Sequence, residues 1–234
     1  MRAVLQSLLL ALGQIADRAV LRVLAKSLAI TVLIFAALGA ATFQAIAFAA
    51  AYLGAGIGSG SAYLITVVLA VVAFWLLFRI VAIAVLQFFA DEVVRAVEQR
   101  HYPVAAANAR ELPFAEDFAN SLQGAMRALV FNALAAVLAL LLIFTAIGPA
   151  AIFLLVNAVL LGRELTDMGW LRHRPSPVAA SPVSRLEQLL LGGAIAALMA
   201  VPLANLLAPI IGAAAGTHLV QLSLRKANQT QSHA

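Results

Sequence analysis

Three cations recur at four-residue spacing near the start of the chain, Arg18, Arg22 and Lys26, and on a helix this spacing stacks them along one face. Such a stack concentrates an anion beside a helix start, where backbone N–H groups lack partners of their own. The same stripe suits the phosphates of anionic membrane lipid, which would anchor the span that follows. A further cation, Arg79, stands alone in a long apolar run. It either snorkels to a membrane boundary or faces an interior cavity as an anion ligand. Arg18, Arg22 and Arg79 are therefore the candidate anion-binding residues. His218 is the one ionisable group in the last apolar arm, Ile210 to Leu224; it fits a proton relay or a hydrogen-bonded boundary residue.

Two charged sets have the spacing of structural ion pairs. Asp91 and Arg95 are four apart, as are Arg163 and Asp167, with Glu164 beside them, so each set pairs across one helical turn where a helix leaves lipid. Tyr102, Trp170, His101 and His173 fit an interfacial belt at the same level. Nothing places a third ligand near the two histidines, so no metal site is expected. The sequence carries no phosphate loop, no dinucleotide glycine pattern and no histidine–carboxylate metal spacing, and Ser59 and Ser61 lack the strand-to-helix elbow of a nucleophile. Binding is expected, with no enzyme activity and no cofactor.

The elements that must position these residues are set by hydropathy. Of the 234 residues, 64% are hydrophobic and 11% charged, far below the usual share of charge in a soluble domain. Leu28 to Leu53 has no ionisable residue over 26 positions, where about 20 suffice to cross a bilayer core. A second run, Ala62 to Phe89, follows the glycine- and serine-rich connector Tyr52 to Ser61. Lipid permits only helices or a closed barrel, and strand alternation is absent, so the chain reads as a single all-α integral membrane domain over 1–234. Two long transmembrane helices occupy 28–53 and 62–89, the second extending to about 102. Residues 1–26 supply an N-terminal interfacial helix and the basic entrance, with Asp17 placed to cap the helix that follows.

Past residue 125 the apolar arms shorten. Ala128 to Ile147 is followed by the turn signal Gly148-Pro149 and then only about 12 apolar residues to Leu161, which rise about 18 Å against a core of about 30 Å. Leu189 to Val201 and Ile210 to Leu224 repeat the pattern around Pro202, Asn205 and Pro209. Two half-penetrating helical hairpins are expected, over 128–161 and 189–224. Gly212 and Gly216 suit close helix packing. The net charge is +5, but 14 of the 15 Lys and Arg fall in four zones, Arg2 to Lys26, Arg95 to Arg127, Arg163 to Arg185, and Arg225 with Lys226. Positive loops stay inside, so both termini are expected in the cytoplasm, and the basic excess is topological with no nucleic-acid partner implied.

Asn157 to His173, NAVLLGRELTDMGWLRH, and Phe88 to Pro103, FFADEVVRAVEQRHYP, resemble the CysZ-type sulfate permeases and the wider etoposide-induced protein 2.4 family. The resemblance implies a multi-pass bacterial inner-membrane protein with two long spans and two half-penetrating hairpins, built as a homo-oligomer and passing sulfate or a similar oxyanion. The sulfate permeases carry a Gly-Leu-Arg-Arg run before the first span; the aligned residues here are Ala19, Val20, Leu21 and Arg22, and of its arginines only Arg22 remains. This departure motivates a second reading, a non-transporting scaffold or envelope-assembly protein that keeps the fold. His218 motivates a third, a proton-coupled carrier.

Overall fold

The computed structural model describes residues 1–14, 17–54, 68, 71–72, 74–75, 90–145, 147–201, 204 and 207–232. Among these residues every regular element is helical and no strand occurs, as expected of a chain whose backbone must satisfy itself in lipid. The chain divides into two compact units, Leu21–Phe89 and Met1–Val20 with Ala90–Ala234.

The smaller unit is dominated by helix α2, Arg18–Gly54, 37 residues long and so about 55 Å from end to end. It contains the charge-free run of the first expected span. Apolar side chains along it stay uncovered, among them Val32, Leu33, Phe43 and Phe48. Of the second expected span, residues 68, 71–72 and 74–75 are helical. The rest of 62–89, including Arg79, lies outside the described residues.

The larger unit contains α1 (Arg2–Gly13), α3 (residues 90–101), α4 (Pro103–Ala107), α5 (Phe114–Leu141), α6 (Gly148–Trp170), α7 (Arg185–Met199) and α8 (Ala208–Ser232). Helix α8 is its centre: Ala208 and Ile211 to Gln221 are buried, with α1, α6 and α7 packed on it. Helix α1 buries Val4, Ser7 and Ala11, positions three and four apart on one face, and leaves Leu5, Leu9 and Leu12 exposed. Helix α7 starts from a full capping box, in which Ser184 accepts from the Glu187 backbone and Glu187 accepts from the Ser184 backbone, satisfying the orphan donors of its first turn.

Close crossings depend on glycine. A Cβ on Gly162 would strike the Gln188 carbonyl, one on Gly192 the Ala158 carbonyl, and one on Gly216 the Leu165 carbonyl. Gly216 thus lets α8 approach the backbone of α6, the packing expected of the Gly212–Gly216 pair.

Beyond the apolar arm that ends at Leu161 the helix continues. Helix α6 runs 23 residues to Trp170, with Gly162, Leu165, Thr166, Gly169 and Trp170 buried against α7 and α8, and this packing carries the helix past the end of the apolar run. Helices α5 and α6 are each long and apolar enough to cross a membrane, yet little of the most apolar stretch of either is covered by protein. Uncovered apolar surface all along a helix calls for lipid, and the protein is a membrane protein.

Candidate functional site

The site is built on α3. Its apolar face, Val93, Val94 and Val97, is almost fully buried, and the same face carries Glu98, whose side chain is 1% exposed. A carboxylate taken out of water is sustained only by paired charge and hydrogen bonds. The turn after α6 supplies both: His173 Nε2 lies 2.7 Å from Glu98 Oε1, and Arg172 Nε 3.3 Å from Oε2. Glu98 thereby ties α3 to the end of α6.

Four residues on, Tyr102 follows the last turn of α3 and its hydroxyl hydrogen-bonds His218 Nδ1 of α8 at 2.8 Å. His101 meets the same imidazole edge-on, with ring centroids 5.4 Å apart. Arg225, two turns further along α8, lies 4.9 Å above the Tyr102 ring, a cation–π contact. Burial pushes the Tyr102 phenol above its usual 10.0, against the pull of Arg225.

A third knot lies at the start of α5, where Glu116 accepts from both Arg110 and Arg174 at 2.6 Å. The Arg110 backbone also donates to the Arg172 carbonyl at 2.9 Å, so the α4–α5 connector is fastened to the segment after α6. Between these knots lies a pocket of about 470 Å³. Its polar lining is Arg110, Arg172, Arg174 and Arg225 with His173, Gln221, Asn108 and Asn228; Pro103, Val104 and Leu224 supply an apolar wall. Four guanidinium groups converge there, and arginine forks match oxyanions.

The residues expected from sequence are placed as follows. Arg18 opens α2, its side chain outside the described set. Arg22 is exposed on the same helix. Arg163 Nε lies 3.4 Å from Asp167 Oδ2, and Arg127 of α5 is within electrostatic reach of Arg163, Asp167 and Glu164. Asp91 and Arg95 share a helix face but no ion pair forms between them within 4 Å among the described residues. Loss of hydration, then the charge of Asp117, pushes the Asp91 carboxyl up against Arg95 and Arg172. Asp17, placed as a cap, is bound by Arg100 through two contacts, at 2.9 and 3.2 Å, with His101 at 3.7 Å.

The interfacial belt requires correction. Tyr102 and Trp170 are each 6% exposed and the His173 side chain 8%, because each fills a helix junction; only His101 keeps an exposed surface. Glu98, Arg110, Glu116 and Arg174 were not singled out in the sequence. Their partners lie 58 and 75 residues away for the Arg174–Glu116 and His173–Glu98 contacts, and no local spacing reports them.

Among the described residues no group of three metal-ligating side chains occurs. The family model for sulfate transporter CysZ and etoposide-induced protein 2.4 matches residues 7–209. Searches of the curated proteins and of the solved structures gave no match.

Proposed function

From the premise that this chain belongs to the sulfate transporter CysZ/etoposide-induced protein 2.4 family, we propose that it passes sulfate or a similar oxyanion across the bacterial inner membrane. The observation that carries this reading is the family match over residues 7–209, nearly the whole chain. Arg18, Arg22 and Arg79 are the proposed anion ligands, with Arg22 the residue kept from the arginine run of the sulfate permeases. The permeating unit is a homo-oligomer in anionic lipid, with both termini in the cytoplasm where the basic zones belong.

In this reading α5 and α6 enter the bilayer as a hairpin that stops short of the far side. Arg127 and Arg163 bound the charge-free arms, which hold about 15 residues each, about 22 Å of helix, below the ~30 Å of a full core. Helix α1 lies at the cytoplasmic boundary with its uncovered leucines toward lipid. The pairs around Arg163, Glu164 and Asp167 fix the depth of α6, and Asp91 with Arg95 serve the same end on α3.

Purified protein in liposomes is expected to carry labelled sulfate inward, with flux cut at least severalfold by Arg22→Ala. Flux no greater than in empty liposomes rejects transport. The reduced Gly-Leu-Arg-Arg run favours a scaffold as the second reading; normal growth of a deletion strain on sulfate, with a stoichiometric co-purifying protein, would favour it.

A further inference from the structure

The pocket between α4, α8 and the segment after α6 has a chemical bias that the transport reading does not use. Its guanidinium groups outnumber the carboxylates that balance them. Arg110 and Arg174 share Glu116, Arg172 pairs with Glu98, and Arg225 rests on the Tyr102 ring with no carboxylate within 4 Å among the described residues. Within 4 Å, four guanidinium groups face two carboxylates among the described residues, a local excess of positive charge.

The unsatisfied buried groups point the same way. Gln221 is 4% exposed and its Nε2 finds no acceptor among the described residues. The Arg174 side chain is 9% exposed and its Nε is likewise unpartnered. Both residues line the pocket. A buried donor without an acceptor costs about 1–3 kcal/mol, so two beside one cavity call for an acceptor-rich occupant. The size of the pocket, about 470 Å³, falls within the range of small-molecule sites, about 300–1,000 Å³, and a bare tetrahedral anion would leave most of it unfilled.

We propose that this pocket binds a phosphate monoester: the phosphoryl oxygens take the donors of Arg174, Gln221 and Arg225, and the organic group lies against Pro103, Val104 and Leu224. The charge of such a group at neutral pH, about −1.5 to −2, complements that excess. The shared chemistry admits two sources, a soluble phosphomonoester or a phosphatidic acid headgroup presented by the membrane, and the site is independent of whether the chain conducts sulfate.

The test uses the full chain in non-ionic detergent, with thermal unfolding and calorimetric titration against glycerol 3-phosphate, inorganic phosphate and sodium chloride at matched ionic strength. Parallel micelles are doped with phosphatidic acid or phosphatidylcholine. The expected result is a saturable rise in Tm with the soluble ester, with phosphatidic acid, or with both, and, where the ester binds, a higher affinity for it than for inorganic phosphate. A response to glycerol 3-phosphate identifies the soluble source and a response confined to phosphatidic acid the lipid source. Arg225→Gln is expected to weaken binding about tenfold. Gln221→Leu is expected to weaken it similarly while raising the ligand-free Tm, because it deletes an unpaired buried donor; this pair of opposed changes separates ligand contact from misfolding. A shift matched by chloride, binding unchanged in both variants, inorganic phosphate binding as tightly as an ester that does bind, or no response to either source overturns the proposal.

Discussion

Glu98 is a carboxylate only 1% exposed on a valine-lined helix face. With Arg172 and His173 both aimed at it, Glu98→Gln removes the carboxylate charge that the two side chains share. The expected loss is about 3 kcal/mol of unfolding free energy, the lower end for breaking a buried pair, since Arg172 keeps some access to water. Denaturant titration in mild detergent measures it. A cycle with His173→Gln should show coupling of about 0.5–3 kcal/mol, and strict additivity of the two losses would refute the pairing. Tyr102 gives a pH signature. Its phenol ionises later in the folded chain than in the unfolded one, so the folded state holds the proton longer. The stability this contributes is complete below pH 10 and lost as pH rises through the raised value. Tyr102→Phe should cost about 1–2 kcal/mol at pH 7, because His218 Nδ1 loses its partner while Nε2 is already unpaired. It should also remove the alkaline step in a stability–pH profile; an unchanged step places the titration elsewhere. At this scale helical spacing reported the pair of Arg163 with Asp167, did not bring Asp91 and Arg95 within 4 Å of each other, and concealed Glu98 with His173, since it reports only neighbours on one helix.

The helices themselves were legible because apolar runs and turn signals mark them: Gly148-Pro149 does begin α6, whereas the capping box of Ser184 and Glu187 that opens α7 went unread. Where they end was not legible. Helix α6 persists to Trp170 because its last turns are held by α7 and α8, a tertiary cause with no local signature. The crossing of α6 and α7 makes this testable with two adjacent glycines. A Cβ on Gly192 meets the backbone of Ala158 and Gly162, which cannot yield without moving a helix, whereas one on Gly193 meets only the Ala158 Cβ at 3.6 Å, an ordinary contact. Gly192→Ala should therefore lower stability by about 1–3 kcal/mol through overpacking. Gly193→Ala should be neutral or stabilise by up to about 1 kcal/mol from helix propensity. Equal effects of the two substitutions in thermal unfolding would contradict the observed register of α6 against α7.

For the whole molecule, the ion pair between Glu116 at the start of α5 and Arg174 just past α6, at 2.6 Å, sets both ends of this hairpin side by side and sends its turn, around Phe144, to the opposite end. Phe144 in that turn is 97% exposed and Val178, beyond the paired end, 93%, so neither is shielded by protein within one chain. Since the chain contains no cysteine, single substitutions Phe144→Cys and Val178→Cys report on each end without background. If the charges at Arg127 and Arg163 hold at the headgroups, the turn stops in the hydrocarbon of the far leaflet. In the proposed orientation, a membrane-impermeant thiol reagent should then modify Val178→Cys only from the cytoplasmic side, in inside-out vesicles, and leave Phe144→Cys protected from both sides until detergent is added. Ready modification of Phe144→Cys from the periplasmic side would mean that both arginines snorkel and that α5 and α6 cross completely, as their helical lengths allow. In that case each chain could line a continuous path. With a turn that stops short, the apolar flanks of α5 need lipid or another copy of the chain to close around any conducting space.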